Sequence, residues 1–261
     1  MIIANIIAIF RKELQGYFAS PFAYIVAAIF WLISGLFFGF FLYRTIEGVA
    51  FAEQQGLLTN SVDVAAEFFS TFFEVIISLC LVLLPALSMG LYAEERKRGT
   101  LELLATSPIT NWSVAVGKLL GVTTLFITML LPIFIYETIV LSASNPPIAL
   151  QAILLSNAGM IILAAVILSI GMFISSLTDS SILAYILTFV SVLFLWILDA
   201  LAENVGGFLG DALSHLSLFQ NYQDLIRGVF DTSSLVLFMS YIFLGIFLTA
   251  QSIEALRLQR S

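Results

Sequence analysis

The chain has 261 residues, of which 61% are hydrophobic and 10% charged, with a net charge of −7. Soluble domains are about half apolar and about a quarter charged, and a globule this apolar could not cover its surface with polar groups, so the bilayer is the expected solvent. One cysteine, Cys80, and one histidine, His215, exclude an internal disulfide and are too few for a Cys/His metal centre.

The first segment, residues 4–19 (NIIAIFRKELQGYFAS), places apolar groups on several helical faces around Arg11, Lys12, Glu13 and Gln15. It reads as an amphipathic helix in the membrane interface, with Arg11 and Lys12 reaching lipid phosphates and Phe10, Leu14, Tyr17 and Phe18 in the acyl boundary. Its charges follow the apolar stretch, opposite to a secretory signal. Pro21 ends this element, because the residue before a proline disfavours helix.

About 20 mostly apolar residues are needed to cross the hydrocarbon core. Six runs qualify: residues 22–43, 71–91, 113–141, 149–177, 181–201 and 234–252. Gly35-x-x-x-Gly39 in the first permits close backbone approach. Gly159, Ala164, Ala165, Ser169 and Gly171 give the fourth similar small surfaces, and Pro85 and Pro132 are candidate kinks in the second and third. Runs four and five are separated only by Thr178-Asp179-Ser180, which forces an antiparallel hairpin. Residues 203–233 are too polar to span and read as an outer loop or shallow re-entrant helices. Glu74 and Glu137 lie in or near apolar runs, where a carboxylate is a functional candidate, yet both fall near outer ends where solvation is an equal reading. His215 reads as a surface or packing histidine.

With the N-terminus cytoplasmic, Arg11, Lys12, Arg96, Lys97, Arg98, Lys118, Arg257 and Arg260 fall inside, and only Arg44 and Arg227 fall outside. This bias predicts a multi-pass plasma-membrane protein with both termini in the cytoplasm.

Residues 93–118 hold the one dense charge cluster of the sequence. Glu94, Glu95, Arg96, Lys97 and Arg98 precede Gly99, which frees the chain to turn. Thr100 is a candidate N-cap, with Glu102 beside the positive end of a helix dipole. Leu101, Leu103 and Leu104 make an apolar edge, Ser107-Pro108 stops the short helix, and Thr110 or Asn111 caps the next. Such an element is either a knob for a partner's groove or a basic loop that sets orientation. Walker A, zincin and metal-spacing motifs are all missing from the sequence, so catalytic, cofactor-binding and metal residues are expected to be none, and there is no sign of nucleic-acid binding.

The sequence resembles the ABC type-2 permeases, the membrane subunits of ATP-binding-cassette exporters, and within them the gliding-motility type. The resemblance rests on Arg11-Lys12-Glu13-Leu14, Tyr17-Phe18-x-Ser20-Pro21, Glu94-Glu95-x-Lys97-x-Gly99-Thr100-Leu101-Glu102-Leu103-Leu104 and Ser107-Pro108. It implies an all-α fold over residues 1–261: an elbow helix (1–21), six transmembrane helices, a coupling region (93–111) and an outer re-entrant segment. It also implies a separate nucleotide-binding ATPase that holds ATP and Mg, and a second permease copy or paralogue packed through Gly35 and Gly39. Outward transport is the implied activity, and the apolar, aromatic-rich spans would suit an amphipathic or lipid-linked cargo. The other readings are an assembly component of an envelope or motility machine, and an ion-coupled secondary transporter. The second would prefer midplane charges, which the spans lack.

Overall fold

In a computed structural model, the described residues are 2–55, 64–101, 109–143, 150–202, 217–229 and 231–258. Among them the structure is helical throughout: α1 (Ile2–Ala19), α2 (Pro21–Gln54), α3 (Val64–Ser88), α4 (Ala93–Lys97), α5 (Asn111–Ala143), α6 (Leu150–Leu177), α7 (Ser181–Ala202), α8 (Leu218–Ile226) and α9 (Thr232–Leu258). Six of these, α2, α3, α5, α6, α7 and α9, are long and apolar enough to cross a membrane.

Sequence punctuation sets the joints. Ser20 adopts an extended conformation between α1 and α2, and Pro21 opens α2 where its missing N–H costs nothing. Thr110 caps α5 by accepting from the Ser113 N–H at 3.3 Å. Ser217 caps α8 in the same way, accepting from Gln220 N–H at 3.1 Å.

The apolar runs locate the helices but not all of their ends. α2 continues from the expected Tyr43 through Arg44 and Glu47 to Gln54, because a helix can persist beyond the hydrocarbon, and Tyr43 donates to Glu47 one turn on. At the other extreme, α3 begins at Val64 and ends at Ser88, three residues before the expected Leu91. Pro85 lies within α3 and Pro132 within α5, as placed from sequence.

α6 is the central helix and contacts α3, α5, α7, α8 and α9. Its small residues make this possible. Side chains of Leu225 and Tyr222 on α8 sit where a Cβ at Gly159 would lie, and Ser169 lies against Gly245 of α9. Gly171 faces Ser88 of α3 and Thr188 of α7. A methyl group there would collide with Ser88 Oγ and approach Thr188 Cγ2 at 2.9 Å. Gly171→Ala is therefore expected to destabilise the bundle by about 1–3 kcal/mol, read as a lower thermal midpoint in detergent.

Towards the end of the bundle remote from α4, Phe38, Phe68, Phe72 and Tyr136 join α2, α3 and α5, with Phe38 and Tyr136 stacked at 4.6 Å. By contrast α7 and α2 bury little of themselves and expose apolar side chains such as Ile182, Val190, Phe194, Leu36 and Phe40. In a membrane such faces meet lipid or another helix.

Candidate functional site

The charged residues singled out from sequence gather at one end of the bundle, where α1, α4, the start of α5 and the α6–α7 turn meet. Their centre is Lys118, whose side chain is only 2% exposed. Its Nζ donates to Glu95 Oε1 at 2.9 Å, Glu13 Oε1 at 3.1 Å and the Leu91 carbonyl at 2.8 Å. The ammonium also lies 4.9 Å from the centre of the Tyr92 ring. Three acceptors match the three donors of a lysine ammonium, and the aromatic face adds a cation–π contact. One buried cation thus ties together α1, α4, α5 and the α3–α4 turn.

Close helix approach makes this possible. Gly117 and Gly121 lie on the α5 face that meets α1. A Cβ at Gly117 would fall 2.8 Å from the Ile9 side chain and 3.1 Å from the Ile6 carbonyl; one at Gly121 would fall 2.9 Å from Glu13 Cβ. The two small residues, four apart, let α1 come near enough for Glu13 to reach Lys118. Lys12 extends the cluster outward, 3.3 Å from Glu13 and 3.4 Å from Glu95, with its side chain 65% exposed. Burial pulls the Lys12 ammonium down, but the two carboxylates outweigh it and leave its pKa raised. Burial, reinforced by Glu13, Glu95 and Glu94, pushes the Tyr17 hydroxyl up, so it stays neutral.

α4 is held from the other side by the end of α6. Ser175 Oγ accepts from the N–H groups of Tyr92 (3.1 Å) and Ala93 (3.0 Å) and donates to the Met89 carbonyl (2.8 Å). It thereby satisfies N–H groups at the start of α4 that have no partner within the helix. Arg96 donates from Nη1 to the Ser176 carbonyl at 2.9 Å, in the last turn of α6, where a cation suits the helix dipole. The α5 and α9 ends are linked nearby by Asn111 Nδ2 donating to Glu254 Oε2 at 2.7 Å.

The sequence-derived residues thus divide. Glu95, Glu13 and Lys12 come together in one ion cluster, while Glu94 points outward and pairs with Arg98 at 3.5 Å. Lys97 and Arg11 are exposed. Gly99 has φ +70°, the left-handed conformation that its position after the charge run implied. The Thr100 hydroxyl donates to the Glu95 carbonyl at 3.2 Å, and Leu101 is buried. Glu102, Leu103, Leu104, Ser107 and Pro108 lie outside the described residues, as does His215. Tyr17 packs against the core, whereas Phe18 is exposed and its carbonyl accepts from Tyr24 Oη at 2.8 Å.

Gly35 lies within the chain's own packing, 3.0 Å from Tyr136 Oη for an added Cβ, while Gly39 is exposed with open space beside it. Glu74 points out of the bundle. Glu137 is 5% exposed, and both its oxygens accept from Asn157 Nδ2 at 2.9 Å. Cys80 is buried against apolar neighbours, as its sequence context implied. The described residues hold no group of three or more acidic, histidine or cysteine side chains able to bind a metal.

Lys118 is the residue that sequence reasoning missed. At the mouth of an apolar run it reads as an orientation signal. The overlooked mark is Gly117-x-x-x-Gly121 around it, which opens a trough for a second helix.

No curated protein matches this chain significantly. Residues 7–253 match the family model described as ABC-2 family transporter protein. That span takes in most of α1, the charged cluster and all or most of each of the six membrane-length helices, and the chain, a multi-pass membrane protein, belongs to the ABC-2 transporter family.

Proposed function

We propose that this chain is the permease subunit of an ATP-driven exporter and that its charged end faces the cytoplasm, where a separate ATPase subunit docks. The observation that carries this reading is the Lys118 cluster. It joins α1, α4 and the α3–α4 turn to the first turns of α5, and Ser175 and Arg96 join α4 to the end of α6. A push on α4 and on the segment after Gly99 would therefore reach α1, α3, α5 and α6 as one body. In this reading α1 is the elbow helix and residues 93–111 are the coupling region.

The chain has no Walker A motif, so ATP and Mg belong to the partner. A second copy or paralogue completes the path, covering the exposed faces of α2 and α7 with Gly39 at the contact. The basic residues at the charged end, Arg11, Lys12, Arg96, Lys97, Arg98 and Lys118, support a cytoplasmic placement with both termini inside. α8, buried against α6 and α7, suits the outer re-entrant segment. The apolar, aromatic-rich spans, with 24 Phe in the chain, support an amphipathic or lipid-linked cargo.

The test uses residues that do not hold the fold together. Glu94 is exposed, and its pair with Arg98 contributes under about 1 kcal/mol. Glu94→Lys should leave thermal stability unchanged but lower both co-purification of the ATPase subunit and its stimulated turnover. Wild-type values for both would remove the docking role and favour an assembly protein that moves nothing.

A further inference from the structure

Between α1, the α3–α4 turn and α5 lies a cavity of about 680 Å³, within the range of small-ligand pockets. Its charged lining is Lys12, Lys118, Arg98, Glu13, Glu94 and Glu95: three cations and three carboxylates, with no net charge. Its other wall is apolar, formed by Phe22, Ala23, Leu87 and Leu125 at the beginning of α2, the end of α3 and the inner part of α5. The cavity thus runs from mixed charge at the end of the bundle to hydrocarbon along the spans.

We propose that this cavity binds one phospholipid whose headgroup carries a primary ammonium beside its phosphate. A lining of balanced charge matches a zwitterion better than a simple anion or cation. Exposed Lys12 and Arg98 offer N–H donors to the phosphate, and the carboxylates offer acceptors to the ammonium. Glu94 is the most open of these carboxylates, its side chain 54% exposed against 13% for Glu13 and 18% for Glu95. It accepts from the lipid's ammonium, whose N–H groups choline lacks, and the acyl chains lie along Phe22 and Leu125. The cavity shares Glu94 and Arg98 with the proposed docking face, but lipid retention is read on the chain without the partner subunit, so the two readings can fail separately.

The test is lipid retention by the purified, delipidated protein, counted by native mass spectrometry. The probes are phosphatidylethanolamine, phosphatidylcholine and phosphatidylglycerol with identical chains. The expected result is one phosphatidylethanolamine per chain, held about tenfold more tightly than the other two, as one charge-assisted hydrogen-bonded contact would give. Gly16 lines the cavity, and a Cβ there meets nothing within 4 Å. Gly16→Leu should fill the space and abolish the preference while preserving the fold. Gly48→Leu, on α2 away from the cavity and also in open space, should keep it.

Equal retention of phosphatidylcholine, whose choline has no N–H, would overturn ammonium recognition. An undiminished preference in Gly16→Leu would overturn the location. Displacement by equimolar free phosphoethanolamine would show that the acyl wall is not used and overturn a lipid occupant. No selective retention at all would overturn the proposal.

Discussion

Lys118→Met should be the most damaging single substitution in the chain, costing about 3–5 kcal/mol. Methionine roughly fills the volume and keeps the contact with Tyr92, but it leaves Glu13 and Glu95 facing each other with only the exposed Lys12 as a shared cation. Their side chains are only 13% and 18% exposed, so water cannot fully replace the ammonium. The Leu91 carbonyl also loses its donor. The expected readout is a sharp fall in monodisperse protein after detergent extraction. Lys12→Gln provides the contrast. It touches the same two carboxylates, but with a side chain 65% exposed its pairs contribute under about 1 kcal/mol, and the protein should extract normally. Normal extraction of both variants would mean that the cluster is an ordinary solvated surface.

The second large effect is expected from Gly117→Val. The added side chain would meet Ile9 at 2.8 Å and, less forgivingly, the Ile6 backbone carbonyl at 3.1 Å. A flexible side chain can turn away, but a helix backbone cannot, so α1 must shift off α5. Overpacking of this kind costs about 1–3 kcal/mol, and the shift lengthens the Glu13–Lys118 pair. The expected outcome is a protein that still spans the membrane but has lost protection of α1 in hydrogen exchange and lost ATPase stimulation. The same substitution at Gly16, which lies in open space, should do neither.

These two residues also show where sequence reasoning stops. The spans were legible because length and apolarity report directly on the bilayer. Ser20-Pro21 and Gly99 were legible because proline and glycine restrict or free the backbone locally, whatever surrounds them. Glu94 and Glu95, by contrast, are adjacent and chemically alike. Only the winding of α4 sends Glu95 inward to Lys118 and Glu94 outward to Arg98. Lys118 resembles any basic residue flanking a span until α1 is folded back over Gly117 and Gly121. Ser175 gave no signal because its role, holding the α3–α4 turn from a helix 83 residues away, is entirely tertiary. Glu137 shows the same limit: one sequence pattern admitted both solvent and interior, and Asn157, twenty residues on, places it inside.

The charged end of the bundle is proposed to be the cytoplasmic end, where work enters. Thiol labelling reads that placement, because Cys80 is the chain's one cysteine and is buried. In a Cys80→Ser background, Arg98→Cys places a thiol at a position whose side chain is 74% exposed. A membrane-impermeant maleimide should label this variant in inside-out vesicles and leave it unlabelled in intact cells. Labelling in intact cells would put the cluster outside and contradict the account.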